Sequence, residues 1–181
     1  SHLIPSDDQR QSKISFDVKP ARASHAPSVK SLGISGQLTG SRSGLIIADD
    51  VESANNSATM GMRDKLSEQV KEFESILKPD GRIVFLGTMQ NEMSLYNTLP
   101  QRGYKQRIWP ALYPSDSQMK SYGTVLAPMI KNTINENIVG KPTDPQRFDE
   151  EDLAQRKFSY GASGFNLQFQ LDTTLADLNK Y

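Results

Sequence analysis

Leu45-Ile46-Ile47-Ala48-Asp49-Asp50-Val51-Glu52 is the stretch on which the reading of this 181-residue chain turns. Four consecutive apolar residues make a run of strand length. Such a run predicts a strand buried on both faces, as in a parallel sheet covered by helices. Two acids close it. After a polar turn over 53–56, Ser57 is placed to cap a helix. Met62, Leu66, Val70, Phe73, Ile76 and Leu77 then recur at helical spacing with charged residues between them. Pro79-Asp80-Gly81 is expected to stop that helix, and Arg82-Ile83-Val84-Phe85-Leu86 to form a second buried strand running into Gly87-Thr88-Met89-Gln90. Strand, helix and strand at this length predict a βαβ unit with a right-handed crossover.

Upstream, Lys13–Val18 alternates like an edge strand ended by Pro20, and Val29–Ile34 is a second candidate strand. Gly36–Gly44, which contains Arg42, is a loop by its glycine density. Downstream, the pattern predicts a short helix over Glu92–Leu99 and a strand over Tyr104–Trp109. A broken helical region follows over Gln118–Ile138, then a turn-rich link over Gly140–Pro145. Asp149-Glu150-Glu151-Asp152 is read as the start of a helix, where acids suit the dipole. Leu153–Leu171 continues it, with a break expected at Gly161 and Gly164.

In open α/β sheets, ligands gather at the carboxyl ends of the strands. Asp49 and Asp50 stand at that end of one predicted strand, Thr88 and Gln90 at that end of the other. A nucleotide hydrolase needs such acids beside its phosphate loop, one to orient the Mg²⁺ shell and one to polarise the attacking water. A polar residue on the neighbouring strand, such as Thr88 or Gln90, then senses the γ-phosphate. Acids also end strands as turn formers or helix caps, and the doublet alone fits both readings. The phosphate loop itself, G-x-x-x-x-G-K-[ST], does not occur in the sequence. Alone, the chain is therefore not expected to hydrolyse ATP.

Composition narrows the field further. Twenty-one Lys+Arg balance twenty-one Asp+Glu, which argues against a uniformly basic nucleic-acid magnet but leaves room for a local groove. No cysteine is present, so disulfides, thiolate metal sites and thiol catalysis are excluded. The two histidines, His2 and His25, lie in polar sequence and do not suggest a metal site or triad. No apolar run approaches membrane-spanning length. A hydrophobic content of 36% and a mean hydropathy of −0.56 are low for a self-contained globule, which points to extensive loops or to a core completed elsewhere.

Longer stretches carry a more specific signal. Ser28–Glu52, Asn56–Met60, Phe85–Tyr96, Ile108–Pro114, Pro142–Asp149 and Tyr160–Phe169, in that order, resemble the ATPase region of the terminase large subunit of short-tailed, podovirus-type phages. The resemblance implies an α/β fold, a partial P-loop NTPase of the additional-strand, catalytic-acid type with a parallel central sheet flanked by helices. It implies that residues 1–147 are the C-terminal part of the ATPase domain without its phosphate loop, and that 148–181 lead toward a nuclease domain. The phosphate loop is expected before residue 1 and the nuclease domain after Tyr181. The implied function is an ATP-driven motor that translocates double-stranded DNA into a procapsid, with ATP and Mg²⁺ as cofactors. Implied partners are the portal protein, the terminase small subunit and further copies in a homo-oligomeric ring. Its place would be the host cytoplasm during infection, and not the mature virion. Residue by residue, Asp49 resembles the metal-orienting acid and Asp50 the catalytic one. Many family members carry Glu at the second position, so Glu52 stays a rival for that role. Gly87-Thr88-Met89-Gln90 resembles the coupling motif, and Arg42 stands where an arginine finger can reach a neighbouring subunit's ATP. A surface loop arginine is the plainer reading of Arg42.

Other features favour ordinary packing. Phe165, Phe169 and Leu171 fit a core or interdomain contact, and Trp109 fits burial in a sheet better than stacking on a base. Lys71, Lys78, Arg82, Arg102, Lys105 and Arg107, interspersed with acids, fit a solvated face better than a DNA surface. Two competing functions share the strand-plus-acids chemistry or dispense with it: another two-acid P-loop ATPase such as a helicase, and a non-catalytic interaction fragment.

Overall fold

The computed structural model describes residues 4–22, 24–36, 38 and 40–173. His2, the Gln37 and Thr39 of the glycine-rich loop, and residues 174–181 of the C-terminal segment lie outside them. Two compact units divide the chain, one of Ser1–Val51 with Asp64–Phe85, the other of Glu52–Arg63 with Leu86–Tyr181.

The first unit holds both small sheets. β1 (Ser15–Phe16) and β2 (Val29–Lys30) pair antiparallel, Ser15 with Lys30 and Phe16 with Val29. Asp17 ties the end of this pair, accepting the Ser28 N–H at 3.0 Å and the Arg10 N–H at 3.2 Å. Strand β3 (Ser43–Asp49) and β4 (Leu77–Leu86) form the second sheet, which is parallel, and helix α2 (Met60–Ile76) joins them in sequence. The expected order of strand, helix and parallel strand is met. Leu66, Val70, Phe73 and Ile76 are the buried stripe of α2, and Phe73 stacks on Phe85 of β4 with centroids 5.9 Å apart. Each of those side chains contributes roughly 1.5–3 kcal/mol on burial.

Burial on both sheet faces is not met. Exposure alternates along both strands: Ala48 is buried, while Leu45 is 54% and Ile47 60% exposed. Val84 and Leu86 of β4 are exposed in the same alternation. The reason is geometric. Successive strand residues face opposite ways, and Phe73 seats α2 on the Phe85 side alone.

Local capping corrects two helix boundaries. Ser57 does not cap the long helix but lies buried inside α1 (Ala54–Ser57), donating its hydroxyl to the Ser53 carbonyl at 2.7 Å. The Asn56 side chain accepts the Ser53 N–H at 2.8 Å, so the polar turn is itself helical. Thr59 opens α2, its Oγ1 accepting the Met62 N–H at 3.3 Å. At the far end α2 gives way to β4 at Leu77, before Pro79-Asp80-Gly81. That triplet bends within the strand, with Asp80 at a φ of 62°.

The second unit is helical and looped. The predicted helix over 92–99 is shorter, α3 (Leu95–Thr98), because Ser94 caps it and accepts the Tyr96 N–H. A 3-10 turn, Leu99–Arg102, follows it. Tyr104–Trp109 is not a strand: Ile108 makes one parallel bridge, with Leu126, and Pro110 removes the next amide donor. Trp109 is correspondingly 53% exposed, not buried in a sheet. Helices α4 (Asp116–Tyr122) and α5 (Pro128–Thr133) make up the broken helical region. Helix α6 (Glu150–Phe165) starts where the acids predict. The Asp149 side chain accepts the Asp152 N–H at 2.9 Å, and Gly161 breaks the helix at φ 68°, ψ 171°. Phe165 is buried and stacks on Phe169 at 5.1 Å, which confirms the packing expectation for that segment. Gln170 stands in for a strand partner, its side chain accepting the Leu112 N–H at 2.8 Å. No helix among the described residues is long and apolar enough to cross a membrane.

Candidate functional site

The acid doublet lies where the chain leaves β3. Asp49 is the last residue of the strand and Asp50 the next, and both are exposed. Among the described residues neither carboxylate has a hydrogen-bond or ion-pair partner. Asp50 has a φ of 46°, a left-handed conformation that costs most residues about 1–2 kcal/mol and that Asp tolerates better than most. This twist turns the chain out of the strand at once, which keeps the second carboxylate off the strand's own alternation. Two exposed, uncommitted carboxylates at a strand's carboxyl end fit a hard cation that keeps several waters. Mg²⁺ takes one or two protein carboxylates and fills its octahedron with water and phosphate oxygens.

Arg42, exposed in the loop just before β3, points its guanidinium along its own backbone. Its Nη1 donates to the Ser41 carbonyl at 3.1 Å and, at the limit of 3.5 Å, to the Ser75 carbonyl near the end of α2. It lines a shallow cleft with Leu38, Gly40, Glu72, Ser75 and Ile76.

Glu52, Thr88 and Gln90 belong to the second unit, and here the structure brings sequence-distant residues together. Glu52 is only 3% exposed, and both carboxylate oxygens accept backbone amides. One takes the Leu95 N–H at 2.6 Å and the other the Gln90 N–H at 3.3 Å. Thr88 and Gln90 are half-buried, and the Gln90 side chain donates to the Thr88 carbonyl at 3.1 Å. Gly87 is fixed by its neighbour: a Cβ there would fall on the Tyr96 phenol ring. Tyr96 is itself buried and donates its hydroxyl to the Leu86 carbonyl at 3.2 Å. Ser94, Leu95 and Tyr96 are therefore part of the same arrangement, although sequence reasoning did not single them out. The only signal in the sequence was the Ser94 cap preceding a short apolar pair.

A buried polar contact also organises the C-terminal part of this unit. The Tyr122 hydroxyl donates to the Gln170 carbonyl, and burial, reinforced by the nearby Asp172 carboxylate, raises its pKa well above the ordinary phenol value. Arg156 lies over the Phe148 ring, 4.6 Å from its centroid, in a cation–π contact.

No family model matches the chain. It is 55% identical over 186 aligned residues, 99% of its own length, to a protein described as "Terminase, large subunit" from Enterobacteria phage T3. The alignment spans 32% of that relative, so the chain is similar to about a third of a terminase large subunit.

Proposed function

We propose that this chain is the acid-bearing part of the ATPase domain of a viral DNA-packaging motor, a terminase large subunit that drives double-stranded DNA into a procapsid. The observation that supports this best is the 55% identity over an alignment that covers 99% of the chain. On this reading the whole protein has a P-loop ATPase domain, of which residues 1–147 are the later part, and 148–181 lead toward a nuclease domain. Its partners are double-stranded DNA, the portal protein, the small subunit and other copies in a ring in the host cytoplasm.

The roles follow from exposure and commitment. Asp49 would hold Mg²⁺, which would supply charge neutralisation for the phosphates of ATP. Asp50, exposed and unpaired among the described residues, orients the attacking water and accepts its proton. Thr88 and Gln90 lie on the segment that would respond to the γ-phosphate. Arg42, held among the described residues by two main-chain carbonyls and by no acidic side chain, would act across a subunit interface, where an arginine stabilises charge in the transition state.

Replacing Asp50 by Asn in the full-length protein tests the reading. DNA-stimulated ATP hydrolysis is expected to vanish while nucleotide binding persists. Turnover at the wild-type rate would remove Asp50 from the chemistry and overturn the assignment.

A further inference from the structure

We propose that Glu52 is a positioning residue, a buried clamp that fixes the segment after β4 to the segment after β3. Its chemistry is set by what surrounds it. A carboxylate at 3% exposure needs its oxygens hydrogen-bonded, and Glu52 finds two donors in the main chain. The Leu95 N–H, at 2.6 Å, belongs to the first residue of α3, and the Gln90 N–H, at 3.3 Å, to the residue that closes Gly87-Thr88-Met89-Gln90. These partners lie 43 and 38 residues away in sequence. Between them Ser94 is fully buried, and on the other side Tyr96 packs against Gly87 and bonds the Leu86 carbonyl.

The loop from Leu86 to Tyr96 is thus fastened twice, by Glu52 through backbone amides and by Tyr96 through its ring and hydroxyl. Both oxygens of Glu52 are occupied and water has almost no access to them, so the group is poorly placed to take a proton from an attacking nucleophile. It is well placed to hold the Thr88–Gln90 segment and the start of α3 against the chain at Glu52, all within the second unit.

Hydrogen exchange and kinetics on the full-length protein test this, the kinetic arm resting on the ATPase reading above and the exchange arm independent of it. Glu52→Gln keeps the volume but opposes an amide NH₂ to one of the two N–H groups. Without nucleotide, it should speed exchange of the Gln90 and Leu95 amides by about tenfold or more, whereas Asp50→Asn leaves them unchanged. In the kinetic arm, Glu52→Gln should lower kcat with KM for ATP little altered and keep the acid limb of the pH profile at its wild-type position. Unchanged exchange in Glu52→Gln, or loss of that acid limb, overturns the clamp and makes Glu52 the proton acceptor. If Glu52→Gln does not fold, Glu52→Asp, one methylene short of spanning both amides, carries the same readouts. Absence of hydrolysis in the wild-type protein would sink the ATPase reading and leave the exchange result to decide the clamp.

Discussion

Replacing Gly87 by Ala should destabilise the second unit through one identifiable collision. The added methyl would land on the hydroxyl end of the Tyr96 ring, so the ring must swing away or the backbone must shift. Tyr96 is 7% exposed, which leaves the ring little room to move. Overpacking of a tight site costs about 1–3 kcal/mol. Displacing the ring also breaks the bond from its hydroxyl to the Leu86 carbonyl, a further loss of about 0.5–1.5 kcal/mol. The sum is about 1.5–4.5 kcal/mol. Equilibrium urea unfolding, followed by circular dichroism, measures it in a four-protein cycle of wild type, Gly87→Ala, Tyr96→Leu and the double variant. Leucine ends short of the collision, so in the Tyr96→Leu background the Gly87→Ala change should cost under about 1 kcal/mol. Contacting pairs couple by about 0.5–3 kcal/mol, whereas independent sites add to within about 0.5 kcal/mol. Equal costs in the two backgrounds would refute the argument that Tyr96 is what requires glycine at 87.

Asp149→Ala removes the cap that accepts the Asp152 N–H and should lower stability by about 1 kcal/mol in thermal unfolding, with Asp149→Asn close to wild type. Gly161→Ala forces a side chain into φ 68°, ψ 171°, at a cost of about 1–3 kcal/mol, and shows as a lower denaturation midpoint. The Tyr122 phenol has a folded pKa raised above its unfolded value. Its contribution is therefore fully present below the unfolded pKa of about 10 and is lost as pH rises toward the folded value. Alkaline titration of stability should show this loss in wild type and a smaller one in Tyr122→Phe; identical curves would remove Tyr122 as the cause. In the full-length protein, Arg42→Ala subunits mixed with Asp50→Asn subunits should regain ATP hydrolysis, and no recovery at any ratio would exclude action of Arg42 across the interface.

Periodicity and punctuation made much of the fold legible in advance. The helical spacing of Leu66, Val70, Phe73 and Ile76 fixed the buried face of α2, since 3.6 residues per turn leave one stripe for the core. Asp149 and the acids after it marked the start of α6, and Gly161 its break, because caps and glycine act on adjacent backbone groups. The strand over 104–109 failed for the opposite reason. Strand propensity specifies an extended backbone but not a neighbour to bond it, and Ile108 finds a single partner. The apolar runs of β3 and β4 likewise announced strands without announcing how many faces would be covered.

The sequence by itself determined the pair of strands with the helix between them, the acids at the first strand's end and the likeness to a terminase large subunit that the T3 protein bears out. All of these are written in local spacing or in ordered similarity along the chain. Only the tertiary structure decided how Glu52 differs from Asp49 and Asp50. Three carboxylates within four residues look interchangeable as letters, yet two stand exposed and one is buried against the amides of Gln90 and Leu95. Those amides lie about forty residues downstream, and a backbone N–H carries no sequence signature, because every residue except proline has one.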